Sequence, residues 1–196
     1  SVDRLTEGRL PPAVRAGELS LQRSALSPEA DGAGARWDLP AAWPFERSIT
    51  VVVVVKPQPV LAPRPRIGEA GLEEPFRILP LGDRAALACV ARWKQRFGDR
   101  IGFVVATIGA PWTVGALRDA IGFGADRGVH VVAEGATHDP ISSAAWLARV
   151  LPECGIEADL VLAGDRRCDE GQGAFVPALA EALCARHAVG IDRIVP

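Results

Sequence analysis

The stretch Ile49-Thr-Val-Val-Val-Val-Val55 decides the fold of this chain. β-Branched residues favour strands, and a run that is apolar at nearly every position is typical of a strand buried on both faces of a parallel sheet. The run ends at Lys56-Pro57, after which prolines recur as far as Pro80 and indicate a loop. We therefore expect a central parallel strand here, covered on both sides by other elements.

Strand-like and helix-like segments alternate along the chain after this strand. Apolar residues at helical spacing follow Asp83, Thr113 and Asp139, and these three side chains are predicted to cap helices. Such alternation favours right-handed crossovers that put helices on both faces of one sheet. The predicted fold class is therefore α/β, with a doubly wound, mainly parallel sheet. The predicted strands are residues 49–55, 101–108, 129–132, 160–162 and 191–195, and the predicted helices, caps included, are 83–98, 113–121, 139–151 and 175–185.

Residues 1–47 differ in composition from the remainder of the chain. They are rich in proline, glycine and alanine and lack a sustained apolar period, so we expect an extension that is partly ordered or loosely packed. Residues 48–196 are expected to form the folded domain. Because the chain holds 0 methionines and stops at Pro196 on the last predicted strand, we expect a sequence clipped at both ends.

Composition limits the classes of function. Lys and Arg number 22 against 24 Asp and Glu, and the net charge of −2 disfavours nucleic acid as a partner, since phosphate backbones require a concentrated basic surface. No apolar run approaches the roughly 20 residues of a membrane-spanning helix, and the first residues lack the apolar core of a signal peptide. The 4 cysteines are scattered without CxxC spacing. We therefore expect a cytoplasmic protein without a transmembrane segment.

The loops that follow the predicted strands are the candidate binding sites, because ligands of doubly wound sheets lie beyond the carboxyl ends of the strands. Gly109-Ala-Pro-Trp-Thr113 offers a glycine directly before a helix N-terminus, where an anion is favoured. The run from Gly164 to Gly173 is polar, holds three glycines and also precedes a helix, which suits a phosphate. An ordinary turn and a solvated loop are the respective alternatives.

No catalytic or metal-binding constellation stands out. Neither a P-loop nor a G-x-G-x-x-G pattern is present, and the histidines lack a metal-ligand spacing to the cysteines. His130 lies in a predicted strand, where packing is the simpler role. Cys168 has no histidine near it in sequence, and the adjacent Asp169 and Glu170 are typical of a solvated loop. We predict neither catalytic residues nor metal ligands.

Four parts of the predicted domain follow the order of motifs in a single family. Residues 117–131 read Leu-Arg-Asp-Ala-Ile-Gly-Phe-Gly-Ala-Asp-Arg-Gly-Val-His-Val, and 158–164 read Ala-Asp-Leu-Val-Leu-Ala-Gly before a helix at 178–183. These resemble the segments R-x-A-L-A-x-G-A-D-R/K-x-x-H-V and D-L-V-x-x-G of the electron transfer flavoprotein β subunit. Residues 51–56 resemble its opening strand ending in V-K, and 79–85 stand where it has N-P-x-x-x-x-A.

The resemblance implies a function in electron transfer. Such β subunits have a Rossmann-like, adenine-nucleotide-binding fold and pair with an α subunit that holds most of the FAD. AMP, or a second FAD in bifurcating members, occupies the β subunit's own site. Electrons arrive from dehydrogenases, such as acyl-CoA dehydrogenases, and leave toward a quinone oxidoreductase. The resemblance thus implies an electron carrier rather than an enzyme, and it implies that the family's C-terminal third lies beyond Pro196.

The same resemblance implies nucleotide contacts at strand ends and in loops that precede helices. Amide groups at helix N-termini suit a phosphate, and aliphatic side chains at strand ends suit adenine. Arg166 or Arg167 is hypothesised to pair with the phosphate. The implied nucleotide-binding residues are Val54, Leu79, Gly82, Ile108, Gly109, Gly164, Asp165, Arg166, Arg167, Cys168, Asp169, Glu170, Gly171, Gln172, Gly173, Ala174 and Phe175.

Departures from the family pattern keep two other functions open. Lys56-Pro-Gln-Pro-Val60 lacks the acid of the family's K-x-x-P-D, and Leu79 replaces the asparagine of its N-P motif. The first alternative is a regulatory or interaction domain that binds an adenine nucleotide without flavin. The second is an enzyme that uses the loop 164–173 for adenylate chemistry, against which the absence of a serine-rich S-G-G-x-D-S pattern counts.

Overall fold

A computed structural model of the chain describes residues 20–23, 46–59, 66–68, 71–73, 77–133, 139–164 and 173–195. Most of the predicted extension 1–47 lies outside these residues, and its boundary stays a prediction. The strands in the described residues are β1 (Ser20–Arg23), β2 (Ile49–Val54), β3 (Gln58–Pro59), β4 (Arg66–Gly68), β5 (Gly71–Glu73), β6 (Arg77–Ile78), β7 (Ile101–Gly109), β8 (Arg127–Val132), β9 (Leu160–Ala163) and β10 (Ile191–Val195). The helices are α1 (Leu81–Phe97), α2 (Val114–Ile121), α3 (Pro140–Glu153) and α4 (Phe175–Ala182), with short 3₁₀ turns at Gly98–Arg100 and Pro111–Thr113.

The main sheet is parallel throughout and has the order β8-β7-β2-β9. β2 lies in the interior of the sheet, with Ile49 opposite Ile101 of β7 and Val51 opposite Leu160 of β9. Along the chain the sheet grows from β2 through β7 to β8, and it then returns to the other side of β2 with β9. This confirms the predicted α/β class with a parallel sheet built around the valine run.

Helices cover both faces of the sheet. Successive side chains of a strand point to opposite faces, so Val51 and Val53 contribute to a first core with α1 and α2, whereas Val52 and Val54 contribute to a second core with α3 and α4. These four valines are fully buried, as the apolar run predicts. The helical residues of the first core are Ala86, Leu87, Cys89, Val90, Trp93, Ala116, Leu117 and Ala120, and those of the second are Ala144, Leu147, Leu151, Phe175 and Leu179.

Two parts of the predicted sheet differ from the structure. β10 occupies the predicted last strand but pairs antiparallel with β1, so it is not a member of the parallel sheet. The predicted loop after β2 contains two short antiparallel pairs, β3 with β6 and β4 with β5. The sequence of a short strand indicates an extended conformation, but it does not specify which strand will pair with it, because pairing depends on tertiary packing.

The three predicted helix caps have three different outcomes. The Asp83 cap is wrong, because α1 begins at Leu81 with Pro80 as its N-cap and Asp83 lies inside the first turn. Thr113 is the N-cap of α2, as predicted, but it makes no side-chain capping bond because its hydroxyl bonds back to the preceding 3₁₀ turn. The Asp139 cap is confirmed: its carboxylate accepts hydrogen bonds from the backbone nitrogens of Ile141 and Ser142. α4 ends at Ala182, three residues before the predicted end, and Cys184 follows with a φ of 51°.

Across the part of the chain that the structure describes, none of the helices has the length and hydropathy needed to cross a membrane.

Candidate functional site

The candidate site lies where the order of the parallel strands reverses. β2 is followed along the chain by β7 on one side, while β9 adds to its other side. In open parallel sheets this reversal opens a crevice at the carboxyl ends of the two strands, and ligands bind there. In this chain the crevice lies beyond Val54 of β2 and Ala163 of β9, which are paired in register.

Asp83 lies directly beyond the carboxyl ends of β2 and β9, a position that we call the head of the crevice. It accepts hydrogen bonds from backbone nitrogens that follow both strands. Its Oδ2 atom accepts a hydrogen bond of 2.9 Å from the backbone nitrogen of Lys56, and its Oδ1 atom accepts one of 3.1 Å from that of Gly164. The side chain is 1% exposed. Because a buried carboxylate needs hydrogen-bond partners to offset its lost hydration, these two amides fix its position. Asp83 therefore ties the first turn of α1 to the ends of β2 and β9.

Gly164 is a glycine because α1 approaches it so closely. A Cβ atom at this position would lie 2.5 Å from Oδ1 of Asp83 and 3.1 Å from the Asp83 backbone nitrogen. It would also lie 3.3 Å from the carbonyl carbon of Gly82. The space beside Gly164 is thus filled by the chain itself.

The space beside Gly109, at the end of β7, is also filled by a neighbouring side chain. A Cβ atom on Gly109 would lie 2.8 Å from Cγ2 of Thr113. The Thr113 hydroxyl donates to the carbonyl of Ala110 at 2.9 Å and lies 2.8 Å from Nε2 of His130. Because a hydroxyl has one proton and a carbonyl only accepts, His130 donates through Nε2. This favours the ordinary-turn interpretation of the loop, with His130 as a packed side chain.

One buried hydroxyl at this end of β7 has no visible partner. Thr107 is fully buried, and no hydrogen bond reaches its Oγ1 atom from the described residues. It lies opposite His130 in the register of β7 and β8. Sequence reasoning missed this residue, although a threonine between the apolar residues Ala106 and Ile108 was a visible signal.

The structure divides the sequence-predicted nucleotide residues into three groups. Val54, Ile108 and Phe175 are brought together in the second core, whereas Leu79 lies in the first core on the other face. Three predicted glycines lie near the carboxyl edge of the sheet: Gly82 in α1, Gly109 at the end of β7 and Gly164 directly after β9. The residues directly before α4 are Gly173 and Ala174. Residues 165–172 lie outside the described residues. The assignment of all these positions to a nucleotide stays a prediction.

The segments that carry the family resemblance contain two aspartates with matching roles at the opposite, amino edge of the sheet. The backbone nitrogen of Asp126 donates to Phe103 O, and the backbone nitrogen of Phe103 donates to Oδ2 of Asp126, both at 2.8 Å. Asp159 repeats the arrangement with Thr50, at 2.9 and 2.8 Å. Each aspartate therefore fixes the start of its own strand against the start of its neighbour.

A basic side chain accompanies each of these aspartates. Lys94 donates to Asp126 Oδ2 and to the carbonyl of Ile101, both at 2.8 Å, and Arg47 forms an ion pair with Asp159. Burial of Asp126 would raise the pKa of its carboxyl, but the hydrogen bonds from Lys94 and Phe103 prevail and hold that pKa below its usual value. These contacts are structural, because they lie at the edge of the sheet remote from the crevice.

Within the described ranges, no group of three or more His, Cys, Asp or Glu side chains is arranged to hold a metal ion. Comparison of the sequence with models of protein families gives no match, and a search of curated proteins gives none. The fold and the crevice are therefore the basis on which a function is proposed.

Proposed function

We propose that this chain is an adenine-nucleotide-binding subunit with a Rossmann-like fold, acting as the β-like subunit of an electron transfer flavoprotein. The strand order β8-β7-β2-β9 carries the proposal. It sets the reversal between β2 and β9, and such reversals are where nucleotides bind in this class of sheet. The loops implied by the resemblance, before α1 and before α4, start from these same two strands.

The described residues limit where the phosphate of AMP or FAD would bind. The amides of Lys56 and Gly164 already donate to Asp83, so they do not fit a phosphate. The remaining candidate is the run that ends at Gly173 and Ala174 and leads into α4, because the positive end of the helix dipole favours an anion. Arg166 and Arg167 would add a charge-assisted contact.

The redox chemistry would be that of the flavin, held mainly by an α-type subunit. This chain would position the nucleotide and shield it from water, with no acid, base or nucleophile of its own. Electrons would come from partner dehydrogenases such as acyl-CoA dehydrogenases and pass to a quinone oxidoreductase. A cytoplasmic location is part of the same proposal.

One observation favours the alternative, a non-redox adenine-nucleotide-binding regulatory or interaction domain. The segments that resemble the family contain Asp126 and Asp159, and both make contacts within this chain that hold strands together. Such contacts serve the fold whether or not an α subunit is present.

Native mass spectrometry of this chain, co-expressed with an electron transfer flavoprotein α-type subunit, tests the proposal. A one-to-one heterodimer that releases FAD and AMP on denaturation supports it, and release of two FAD identifies a bifurcating type. A single chain that releases AMP without flavin supports the non-redox alternative. A single chain that releases no nucleotide contradicts both.

A double variant tests the loop before α4. Arg166→Ala with Arg167→Ala is expected to reduce nucleotide retention about tenfold, because two charge-assisted contacts are lost. The matched control is Arg100→Ala with Arg118→Ala, two exposed arginines outside that loop. Unchanged retention in the first variant would show that these arginines do not hold the phosphate.

A further inference from the structure

The outer edge of β9 is unpaired in the part of the chain that the structure describes. β9 is the last strand in the order β8-β7-β2-β9, and its four apolar residues, Leu160–Ala163, are all half-buried. The next strand along the chain, β10, pairs antiparallel with β1 instead. An apolar edge strand without a neighbour is a template for pairing with another strand.

The register of β9 shows which of its backbone groups point outward. The backbone nitrogen of Asp159 donates to the carbonyl of Thr50 in β2, and in a parallel ladder alternate residues bond to the same neighbour. Val161 therefore bonds to β2, whereas the N–H and C=O groups of Leu160 and Leu162 point away from it. The outer edge thus offers two donors and two acceptors to another strand.

These outward groups are arranged symmetrically about Val161. When a second β9 strand runs antiparallel with its Val161 opposite this Val161, Leu160 lies opposite Leu162 of the second copy, and Leu162 lies opposite its Leu160. Each of these two pairs exchanges both hydrogen bonds, so all the outward groups are satisfied. Because both leucines lie on the face of the first core, leucine also packs against leucine across the pair.

No charge within β9 opposes this pairing. Asp159, directly before the strand, forms an ion pair with Arg47 and accepts a hydrogen bond from the backbone nitrogen of Thr50, so its charge is compensated within the chain. The other edge of the sheet differs, because β8 begins with the exposed Arg127, whose guanidinium donates to the carbonyl of Cys154. Charged side chains on an edge strand hinder pairing with another chain. Of the two edges of the parallel sheet, β9 is therefore the one that favours pairing.

We propose that the outer edge of β9 is an interaction surface for a second copy of this chain. An antiparallel pair of β9 strands joins the two parallel sheets into one, through the same residues of both copies, as is common in homodimers. The two candidate crevices then open in opposite directions, because the two β9 strands run in opposite directions. The inference goes beyond the proposed function and depends on neither a bound nucleotide nor an α-type subunit.

Sedimentation velocity of the full chain, without nucleotide or α-type subunit, tests the inference. Because a short interface gives weak association, we expect pairing to depend on concentration between about 1 and about 300 µM. The weight-average mass is expected to rise from the 20.7 kDa of one chain toward twice that value. A mass that stays at one chain over this range would overturn the inference and leave the proposed function standing.

A charge on the symmetry axis tests whether β9 is the surface that pairs. Val161→Lys is expected to weaken pairing at least about tenfold, because like charges directly opposite each other destabilise a strand pair. A mixture of Val161→Lys and Val161→Glu chains is expected to restore pairing. Val189→Lys, at an exposed valine outside the sheet, is the matched control and should pair like the unmodified chain. Undiminished pairing of a folded Val161→Lys chain, or a mixture that does not pair, would overturn the inference.

Amide hydrogen exchange separates a second copy from cover by the chain itself, and it needs no variant. The outward amides of Leu160 and Leu162 are expected to exchange at least about threefold more slowly at about 300 µM than at about 1 µM, because the paired fraction rises. The amide of Val161, bonded to β2 in either state, is the internal control and should not change. Exchange of the leucine amides that is independent of concentration would overturn the inference: slow exchange would indicate that another part of the chain covers the edge, and fast exchange that nothing does.

Discussion

Oδ1 of Asp83 accepts a hydrogen bond of 3.1 Å from the backbone nitrogen of Gly164, 81 residues further along the chain. The bond connects the first helix of the sheet to the last strand that joins it. The absence of a side chain at Gly164 permits this approach, and the second oxygen of the same carboxylate holds Lys56. One buried residue thus joins both walls of the candidate crevice.

Replacement of Gly164 by alanine is expected to destabilise the fold by about 2 kcal/mol, since overpacking typically costs about 1–3 kcal/mol. The new Cβ would lie 2.5 Å from Oδ1 of Asp83 and 3.1 Å from the Asp83 backbone nitrogen, so both a side chain and the backbone of α1 would have to shift. Gly115→Ala is the matched control, because its Cβ meets nothing within 4 Å and alanine favours a helix. Urea denaturation measures both variants. A Gly164→Ala chain as stable as the control would contradict the packing described here.

We expect the free energy of unfolding to fall in acid because of Asp126. Hydrogen bonds from Lys94 and Phe103 lower the pKa of its carboxyl, although burial acts in the opposite direction. Because the pKa of Asp126 is lower in the folded chain than in the unfolded chain, its carboxylate stabilises the fold at pH values above the unfolded pKa of about 3.9. This stabilisation is lost as the pH falls through the pKa of the folded chain. Asp126→Asn should cost no more than about 1 kcal/mol at pH 7, because the side chain is half exposed. The difference from the unmodified chain should shrink below about pH 4.

Urea denaturation between pH 7 and pH 3 measures this effect. Asp119→Asn, an exposed aspartate of α2, serves as the control and should change stability by less than about 0.5 kcal/mol. A deficit in Asp126→Asn that persists unchanged to pH 3 would mean that the carboxylate charge is not its cause.

Thr107→Val is expected to leave stability unchanged or to raise it by up to about 1 kcal/mol. The substitution keeps the shape of the side chain and removes a buried hydroxyl without a hydrogen bond from the described residues. Thr113→Val should instead destabilise by about 1–2 kcal/mol, since it breaks the bonds to Ala110 and His130. Thermal unfolding compares the two. A marked loss in Thr107→Val would reveal a partner for that hydroxyl.

The cysteines are expected to differ in reactivity. Burial raises the pKa of the Cys89 thiol to about 12, and only the thiolate reacts readily with alkylating reagents. Cys184 is exposed. Iodoacetamide at pH 8 should therefore label Cys184 well before Cys89, as peptide mass spectrometry would show, and urea should abolish the difference. Equal labelling in the folded chain would contradict the burial of Cys89.

Local pattern accounts for most of the parallel sheet. Each of the four strands of that sheet was predicted, with ends shifted by at most two residues: the largest shift is in β8, which spans Arg127–Val132 against a prediction of 129–132. The burial of the valine run on both faces followed from its lack of alternation. The Asp139 cap followed from the proline at the next position. All these signals depend on neighbours within a few residues.

Contacts between distant residues account for what sequence reasoning got wrong. Asp83 was predicted to cap a helix because of its local setting, yet its partners are 27 and 81 residues away. β10 was predicted from its β-branched residues, and only packing decided that its partner is β1. Only the tertiary structure shows that a side chain from α1 fills the space beside Gly164, a contact that no local pattern indicates.

The sequence by itself determined that helices and strands alternate and that the valine strand is buried on both sides, because hydrophobic period and β-branching act over a few residues. Only the tertiary structure decided the order β8-β7-β2-β9, and with it the position of the crevice. Only the tertiary structure decided that Asp83 fills the head of that crevice, because hydrogen bonds across a sheet depend on which chain segments meet in space.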